Sequence, residues 1–382
     1  MTLCSVLIAT NQFARWAGSE MVATEFAEAF RDRGFDVTLF TNAISSELAG
    51  PLLERGVTVT DRPEDVNLWQ HDLVYCQHSV FARLFEKPVP KRGAFPVFVF
   101  NHLSPYAPLE VPGPHFEKAF GDIILTNSPE TRSALVNHDP DLEARAEVFP
   151  NPAPASFQRG ERPPREALRR LLCVSNHVPT EMRHALRHLE KAGVAVVRVG
   201  RKDTPRRISP TDFDGIDAVV SIGKTVQYAL AARVPVFCYD RFGGPGWLSH
   251  DNFEAAAEAN FSGRCMRNPR EAEVLAAELL SGFAEADRFA VGMPEELRSR
   301  FFLDPLLTSV LKRAEILAAD EMRSEVAFSK LAGAEWKARL EEERALAETA
   351  RRDFLTSWRD SQKLDRRRQR RRRLKRLFRL PQ

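Results

Sequence analysis

The sequence predicts an α/β protein of two domains, each built on a parallel sheet, followed by a long helical and basic tail. Short apolar runs alternate with helix-like segments from Cys4 to Tyr239, which is the order of parallel strands joined by helical crossovers. Residues 153–166 are rich in Pro and charge and divide these elements into two series. From about Leu311 to Pro381 no Pro intervenes and Glu, Arg, Ala, Lys and Leu dominate, which is typical of a helix.

The charge is unevenly distributed. The chain has 382 residues, 43% of them hydrophobic, and a net charge of +3. Residues 363–382 hold eleven Lys or Arg and one Asp, a net charge of +10. The rest of the chain therefore carries −7, so we expect a mildly acidic body and a tail that is electrostatically separate from it.

Cysteine usage and hydropathy indicate the compartment. The five cysteines are widely spaced and include no CxxC pair, which predicts reduced thiols in a cytosolic protein. The first apolar run lacks a basic flank and is too short for a signal peptide. No stretch approaches the roughly 18 apolar residues of a membrane span. We expect a cytoplasmic protein, held at most peripherally at the inner face of the membrane.

The first domain is predicted to span residues 1–152. Cys4–Thr10 should form the first strand, and the helix Met21–Asp32 should follow, capped by Ser19 and ended by Gly34. Further short apolar runs predict the remaining strands: residues 36–40, 57–60, 73–76, 97–100 and 123–126.

The second domain is predicted to span residues 167–310, after a linker at 153–166, with a helical extension at 311–382. Its strands should lie at residues 171–174, 195–199, 218–220 and 234–239, with a helix from Thr180 to about Lys191. The stretch from Val219 to Phe261 predicts a strand, a glycine turn, a helix, a second strand and a second glycine turn at residues 243–246.

Polar side chains follow several of the predicted strands. They are His78, Asn101-His102, Asn127-Ser128 and Asn151. The carboxyl ends of parallel strands meet at one edge of a sheet, so these residues predict a polar cleft there. Each histidine alone has an equally good explanation as a hydrogen-bonded residue at a strand end.

Basic residues also occupy predicted strand ends in the second domain. They are Arg201, Lys202, Lys224 and Arg241, and Lys224-Thr225 stands where a helix begins. Helix N-termini and cations bind phosphate, although any one of these residues taken alone is better explained as an ordinary solvated charge. A P-loop is not indicated, because Ala218 stands where that motif needs glycine.

Three motifs resemble the GT-B glycosyltransferases, which have two Rossmann-like domains. GSEMVATEFAEAFRDRGFDVTLFTN looks like the opening of their acceptor domain, and Val148 to Pro152 resembles the turn that closes it in the large retaining family (family 4, or group 1). ALAARVPVFCYDRFGGPG resembles that family's "EAMACGxPVVASDxGGxxE", with Pro235, Asp240, Gly243 and Gly244 in matching places. The longer run around it looks like a bacterial subgroup of the family.

The resemblance implies a glycosyltransferase that moves sugar from a nucleoside-diphosphate sugar to a glycan, lipid-linked or envelope acceptor in polysaccharide biosynthesis, without metal or other cofactor. The donor would be bound by Gly18, Asn176, Arg201, Lys202, Lys224, Thr225, Gln227, Gly243 and Gly244. The acceptor would bind the first domain near Gly18, where His78 or His102 could orient hydroxyls or accept a proton.

The sequence departs from the family at its acidic positions. Tyr228 stands where the family holds the donor ribose with glutamate, and Gln227 beside it offers a substitute hydrogen bond. Val220 and Trp247 replace two further glutamates. These departures favour an alternative, a non-catalytic protein that uses the same fold to bind sugars or nucleotides.

The tail indicates a charged partner. Leu374, Leu377 and Phe378 are spaced i, i+3, i+4 in an arginine-dense segment, which predicts an apolar stripe on a cationic helix and attachment to an anionic membrane. The alternatives are a nucleic-acid-associated protein and a solubilising tail without structure. Leu317 and Leu331 share a weak heptad register, so the extension could also join two copies of the chain.

Overall fold

The computed structural model describes residues 2–106, 110–111 and 113–377, with side chains up to residue 359 except Ser357. Its first sheet has seven parallel strands in the order β3-β2-β1-β4-β5-β6-β7. The strands are β1 (Ser5–Thr10), β2 (Asp36–Thr41), β3 (Thr58–Thr60), β4 (Leu73–Gln77), β5 (Val97–His102), β6 (Ile123–Thr126) and β7 (Ala146–Val148). The strand order reverses between β1 and β4, which opens a crevice at their carboxyl ends.

Helices cover both faces of this sheet: α1 (Gly18–Asp32), α2 (Ser46–Glu54), α3 (Pro114–Phe120) and α4 (Pro129–His138). Helix α1 buries Val22, Phe26 and Phe30 against the sheet because they recur at helical spacing. It begins at Gly18, so the predicted cap Ser19 lies inside its first turn, where its hydroxyl hydrogen-bonds Glu20 at 2.8 Å.

The second sheet has five strands in the order β12-β11-β10-β8-β9. They are β8 (Arg170–Val174), β9 (Ala195–Val199), β10 (Ala218–Ser221), β11 (Val236–Asp240) and the antiparallel edge strand β12 (Gly243–Trp247). Here the order reverses between β8 and β10, which gives a second crevice at the carboxyl ends. The surrounding helices are α5 (Thr180–Lys191), α6 (Lys224–Ala231), α7 (Phe253–Glu258), α8 (Ala272–Ser281), α9 (Phe283–Gly292) and α10 (Glu295–Ser299).

The second glycine turn is not a loop, contrary to the sequence expectation. Gly243 and Gly244 belong to β12, with φ of +90° and +158°. A Cβ on Gly243 would lie 2.2 Å from the backbone of Asn268, and one on Gly244 would lie 2.2 Å from the carbonyl oxygen of Cys238. Close backbone packing therefore explains both glycines.

The extension is three helices rather than one exposed helix. They are α11 (Leu303–Ala318), α12 (Glu321–Ala332) and α13 (Ala334–Leu377). The Asp320 side chain caps α12 by accepting the Arg323 N–H at 3.0 Å, which starts a new helix. Leu307 of α11 and Phe328 of α12 are buried in the core of the first domain, so the chain returns to that domain after completing the second.

The first part of the segment between the domains is packed against the second domain, whereas residues 158–166 are exposed or half-buried. Ala153 and Phe157 are buried in the core of the second domain. Ala153 also pairs with Phe302, the residue before α11, so the two chain crossings between domains lie side by side.

No helix in the described part of the chain is long and apolar enough to cross a membrane. The predicted apolar stripe ends at Phe378, which lies outside the described residues, and the side chains of Leu374 and Leu377 are outside them too.

Candidate functional site

A cleft of about 540 Å³ lies between the two domains, where the carboxyl ends of both sheets face each other. The first domain lines it with residues 16–19, beside the crevice between β1 and β4. The second domain lines it with residues 174–177 and 221–225, which follow β8 and β10. Both crevices therefore open into one cavity, as expected for a ligand shared between two such domains.

The N-terminus of α6 forms one wall of this cleft. Gly223 precedes the helix with φ of +57°, a conformation that favours glycine, and Thr225 lies in the first turn. Ser221 closes the turn by donating its hydroxyl to the Val174 carbonyl at 2.8 Å. The first N–H groups of a helix have no partner within the helix, so the start of α6 is a place where an anion in the cavity would be stabilised.

Positive charge surrounds the same wall. His177 lines the cleft, and its pKa is lowered first by partial burial and then by the positive charges of Arg201, Lys202, Arg241 and Arg15. Arg241 lines the cleft directly and is exposed, its guanidinium 4.6 Å from the centre of the Phe242 ring. A polyanionic ligand therefore meets a favourable field here.

Lys224 does not direct its ammonium into the open cleft. Its Nζ lies 2.5 Å from Glu25 Oε2 on α1 and donates to the Pro152 carbonyl. Only 6% of Lys224 is exposed. Burial lowers the pKa of Lys224, and burial raises that of Glu25, while their mutual attraction opposes both shifts. Lys224 is among the residues that line the cleft, but its ammonium is held in a buried contact between the domains, and its contact with a diphosphate stays a prediction.

Three other residues that the sequence predicts to bind the nucleotide-sugar donor are Asn176, Arg201 and Lys202. Asn176 lines the cleft, donates to the Trp16 carbonyl at 3.0 Å and accepts the Arg201 N–H at 3.0 Å. Lys202 lines a separate pocket of about 390 Å³ beside α5. Arg201 is exposed and, like Lys202, is not among the residues that line the main cleft, so these two act on it through charge.

Gly18, Gln227 and the two glycines of β12 complete the predicted set. Gly18 lines the cleft opposite α6, where an added Cβ would be 3.9 Å from Lys224 Cβ. Gln227 is buried, with one amide atom 2.6 Å from the Gly223 carbonyl and the other 3.3 Å from Asn260. Gly243 and Gly244 are not among the residues lining the cleft.

His78 is buried at the end of β4 and has φ of +64°. Its Nδ1 accepts the Asn11 N–H at 3.3 Å and lies 3.1 Å from Thr10 Oγ1. The proton of the neutral ring is therefore on Nε2, which faces Glu110 at 3.9 Å. Burial lowers the pKa of His78 to about 4. Such a ring is neutral at pH 7, and its acceptor nitrogen is already occupied.

His102 is also buried, with Nε2 2.9 Å from Glu117 Oε2. Burial alone would lower the pKa of His102, but attraction to Glu117 and Glu110 reverses this and the pKa is raised. His102 and Glu110 line a cavity of about 190 Å³, which adjoins the main cleft at Ser104. Burial raises the pKa of Glu110 to about 7, and its Oε2 has no hydrogen-bond partner among the described residues.

The sequence interpretation missed residues that join the domains. Glu25 follows Val22 by three residues and therefore lies on the apolar face of α1, an unusual place for a carboxylate that could have marked it. Arg207 binds Glu28 with two bonds of 2.6 and 2.7 Å, and Arg264 binds Glu130 in the same forked way across the cleft. Nothing local in the sequence pairs these residues. In the described part of the chain, no cluster of three His, Cys, Asp or Glu side chains has a geometry suited to a metal.

Comparison with known proteins identifies the fold. No family model and no curated protein sequence matches the chain. A glycosyltransferase from Rickettsia africae ESF-5 superposes with a TM-score of 0.52 at 11% identity, over 84% of this chain and 100% of that one. A putative UDP-N-acetylglucosamine 2-epimerase from Listeria monocytogenes gives 0.49 at 12% identity, over 84% and 98%. The catalytic domain of starch synthase IV from Arabidopsis thaliana gives 0.41 at 10% identity, over 84% and 100%.

The chain has the GT-B glycosyltransferase-like fold. The superposition at a TM-score of 0.52 covers 84% of this chain and the whole Rickettsia chain, and the two sheets match a two-domain fold of this kind, which confirms the fold class predicted from the motifs. The helical C-terminal region is present as well, in the form of α11 to α13.

Proposed function

We propose that this protein is a glycosyltransferase that takes its sugar from a nucleoside-diphosphate sugar. One observation carries the proposal: the N-terminus of α6 and the exposed Arg241 face a cleft formed where both strand-order reversals meet. A diphosphate placed there would be held by backbone N–H groups and by Arg241. The same groups would stabilise the negative charge that grows on the diphosphate as the bond between the sugar carbon and the phosphate oxygen breaks.

We place the acceptor on the first domain, as the sequence resemblance implies. The acceptor hydroxyl would form the new bond to the sugar carbon and release its proton to Glu110. That carboxylate has a pKa of about 7, which suits a general base near neutral pH better than either histidine does. His78 would hold its Nε2–H toward Glu110, and His102 would position the same carboxylate through charge. We expect turnover without added metal, because cations of the chain supply the stabilising charge, and activity should therefore survive EDTA.

The first test is binding of UDP-, GDP-, ADP- and CMP-linked sugars, measured by calorimetry. One donor class should bind, and Arg241→Gln should weaken its binding by roughly tenfold, since one charged hydrogen bond is lost. Arg288→Gln is the matched control, because Arg288 is an exposed arginine of the same domain paired with Glu166 outside the cleft. Failure of every donor to bind the wild-type protein would overturn the proposal.

A second candidate is a non-catalytic protein that binds nucleotide sugars. It is supported by Tyr228, which stands at the family's glutamate position and whose hydroxyl donates to Glu25 instead of facing a ligand. The two candidates differ in turnover. Release of nucleoside diphosphate from a bound donor in the presence of acceptor, abolished by Glu110→Gln without loss of donor affinity, supports the transferase. Tight binding with no release under any acceptor supports the binding protein.

We further propose that the tail holds the protein at an anionic membrane surface, so that a lipid-linked or envelope acceptor is presented to the first domain. The net charge of +10 over residues 363–382 supports this, as does the origin of α13 on the first domain, where Trp336 packs against Phe116 and Phe120. Association with nucleic acid is the competing proposal for the tail, and binding to anionic vesicles and to duplex DNA at the same salt distinguishes the two.

A further inference from the structure

Three buried side chains join the two domains beside the cleft. Glu25 lies on α1 of the first domain, and Lys224 and Tyr228 lie one turn apart on α6 of the second. Lys224 Nζ is 2.5 Å from Glu25 Oε2, and the Tyr228 hydroxyl donates to Glu25 Oε1. The exposed fractions are 1% for Glu25, 6% for Lys224 and 2% for Tyr228. We call these three residues the interdomain latch.

The segment that connects the domains is held by the same residues. Lys224 also donates to the carbonyl of Pro152, the last residue of the first domain. The Tyr228 ring stacks on Phe157 with centroids 4.1 Å apart and planes inclined by 6°, and the Lys224 ammonium lies 4.8 Å from the Tyr228 ring centre. Phe157 and Tyr228 lie in the same core of the second domain, so rotation of one domain against the other would break the Glu25 contacts of the latch while the stacked rings move together.

The latch contacts form only while the domains are closed. Removing Lys224 with the domains closed would leave the Glu25 carboxylate buried without its cation, and an unpaired buried charge is far more costly than an exposed one. A second contact acts in the same direction, because Arg207 of the second domain binds Glu28, one helical turn from Glu25, at 2.6 and 2.7 Å. Glu25 and Glu28 of α1 are thus both bound by the opposite domain.

We propose that the interdomain latch holds the two domains in the closed arrangement before any ligand binds, so that a ligand enters a preformed cleft. In enzymes that close around a substrate, closure assembles the site and binding energy drives it. Here the contact that fixes the domain angle is made by side chains of the chain itself. The inference concerns the free protein and does not depend on the reaction proposed above.

The test measures the distance between the domains without ligand, by electron spin resonance. Spin labels are placed at Leu53→Cys on α2 and Val274→Cys on α8, both exposed, in a background in which the accessible Cys4 and Cys265 are replaced by Ser. The protein with an intact latch should give one narrow distance distribution. Lys224→Met should broaden it or lengthen the mean distance, because Glu25 is then buried without a partner.

The decisive comparison is a charge-neutral double variant. Glu25→Gln combined with Lys224→Met leaves no unpaired charge and should return the distribution toward its narrow form, which a general packing defect at Lys224 would not do. Arg288→Met, which removes an exposed ion pair within the second domain, should leave the distribution unchanged. A broad or two-peaked distribution in the ligand-free protein with an intact latch would overturn the proposal, and so would a narrow one in Lys224→Met.

A milder variant keeps the proposal testable if Lys224→Met fails to fold. Tyr228→Phe removes only the hydroxyl that binds Glu25. Amide hydrogen exchange in α6 and in the Glu25 turn of α1 should then rise by roughly tenfold, while exchange in α8, away from the contact, stays constant. Equal exchange in α6 with and without the hydroxyl counts against the latch.

Discussion

Glu20 shows how a single buried carboxyl responds to its surroundings. It lies in the first turn of α1 with no exposed surface. One oxygen accepts the Ser19 hydroxyl at 2.8 Å, and the other has no hydrogen-bond partner among the described residues. Burial raises the pKa of Glu20 to about 7, although Ser19 and Arg15 oppose the shift. The folded protein therefore binds a proton at Glu20 between about pH 4.5 and 7 that the unfolded chain releases.

We expect Glu20→Gln to stabilise the protein increasingly as the pH rises from about 4.5 to 7, and by a constant amount above that. A carboxyl whose pKa is raised by folding contributes stability to the folded state that is lost as the pH rises and the group ionises. Glutamine does not ionise, so the variant does not show this loss. The largest expected difference in the free energy of unfolding is about 3 kcal/mol, because the pKa of Glu20 rises from about 4.5 to about 7. Urea unfolding at several pH values checks it, with the exposed Glu54→Gln as control. An equal difference at pH 5 and pH 8 would contradict the assignment.

His78 should behave in the opposite direction. Its pKa is lowered to about 4, so between pH 6.5 and 4 the unfolded chain takes up a proton that the folded protein excludes. Stability contributed by the neutral ring is therefore present above pH 6.5 and lost as the pH falls toward 4. We expect His78→Gln to show a smaller loss of stability than the wild type between pH 7 and pH 5, measured by urea unfolding. Parallel pH profiles for the two proteins would show that this ring is not held neutral.

At the scale of elements, the helices after residue 303 belong to the first domain through specific contacts. Arg323 of α12 binds Asp122 with an Nε–Oδ1 distance of 2.7 Å and also donates to the carbonyls of Phe95 and Pro96. Both charged side chains are largely buried, at 13% and 11% exposed. Arg313 of α11 pairs with Glu147 at the surface, where both side chains are about 40% exposed. The two arginines are thus matched in chemistry and differ in burial.

We expect Arg323→Met to cost about 3–5 kcal/mol in the free energy of unfolding, because Asp122 is left buried and unpaired. Arg313→Met should cost less than about 1 kcal/mol, as is usual for an exposed ion pair. Thermal or urea unfolding of the two variants checks the difference. Equal effects would mean that α12 is not anchored by the Arg323 contact.

The strands were largely predictable from the sequence, whereas the contacts between distant elements were not. β-branched runs bounded by turns gave β1 and β6 within about one residue, because burial on both faces of a parallel sheet demands such runs, and they also gave the edge strand β9, which is only partly buried. β12 was missed, since its first four residues, Gly-Gly-Pro-Gly, have turn composition and only close packing makes them a strand. Phe328 and Trp336, two large aromatic residues among charges, were the available sign that the extension packs on a core.

At the scale of the whole molecule, one part of the candidate site was predictable from the sequence and another part was not. A crevice at the carboxyl ends of each sheet was predictable, but among the polar residues named there from the sequence, Asn151 lines the cleft, whereas His78, His102 and Asn127 are not among its lining residues. The roles of Lys224, His78 and His102 were not, since a sequence does not reveal whether a charged group faces solvent or another domain. Lys224 differs from the exposed Arg241 only in the partner that α1 supplies. Long-range pairing is therefore the information that the sequence lacked.

The charge asymmetry of the molecule leads to the last prediction. With a body of net charge −7 and a tail of +10, an anionic surface should attract the tail and repel the body, leaving the cleft clear of the surface. Replacing the arginines at 370–373 by Gln should lower partition into vesicles containing anionic lipid on the order of 1000-fold, at about 1 kcal/mol per arginine. Leu374→Gln with Leu377→Gln should also lower it, because the apolar stripe inserts between lipids. Vesicle sedimentation measures both, with zwitterionic vesicles as control. Binding of duplex DNA that equals vesicle binding at the same salt, together with no effect of the two leucine changes on either, would instead assign the tail to nucleic acid.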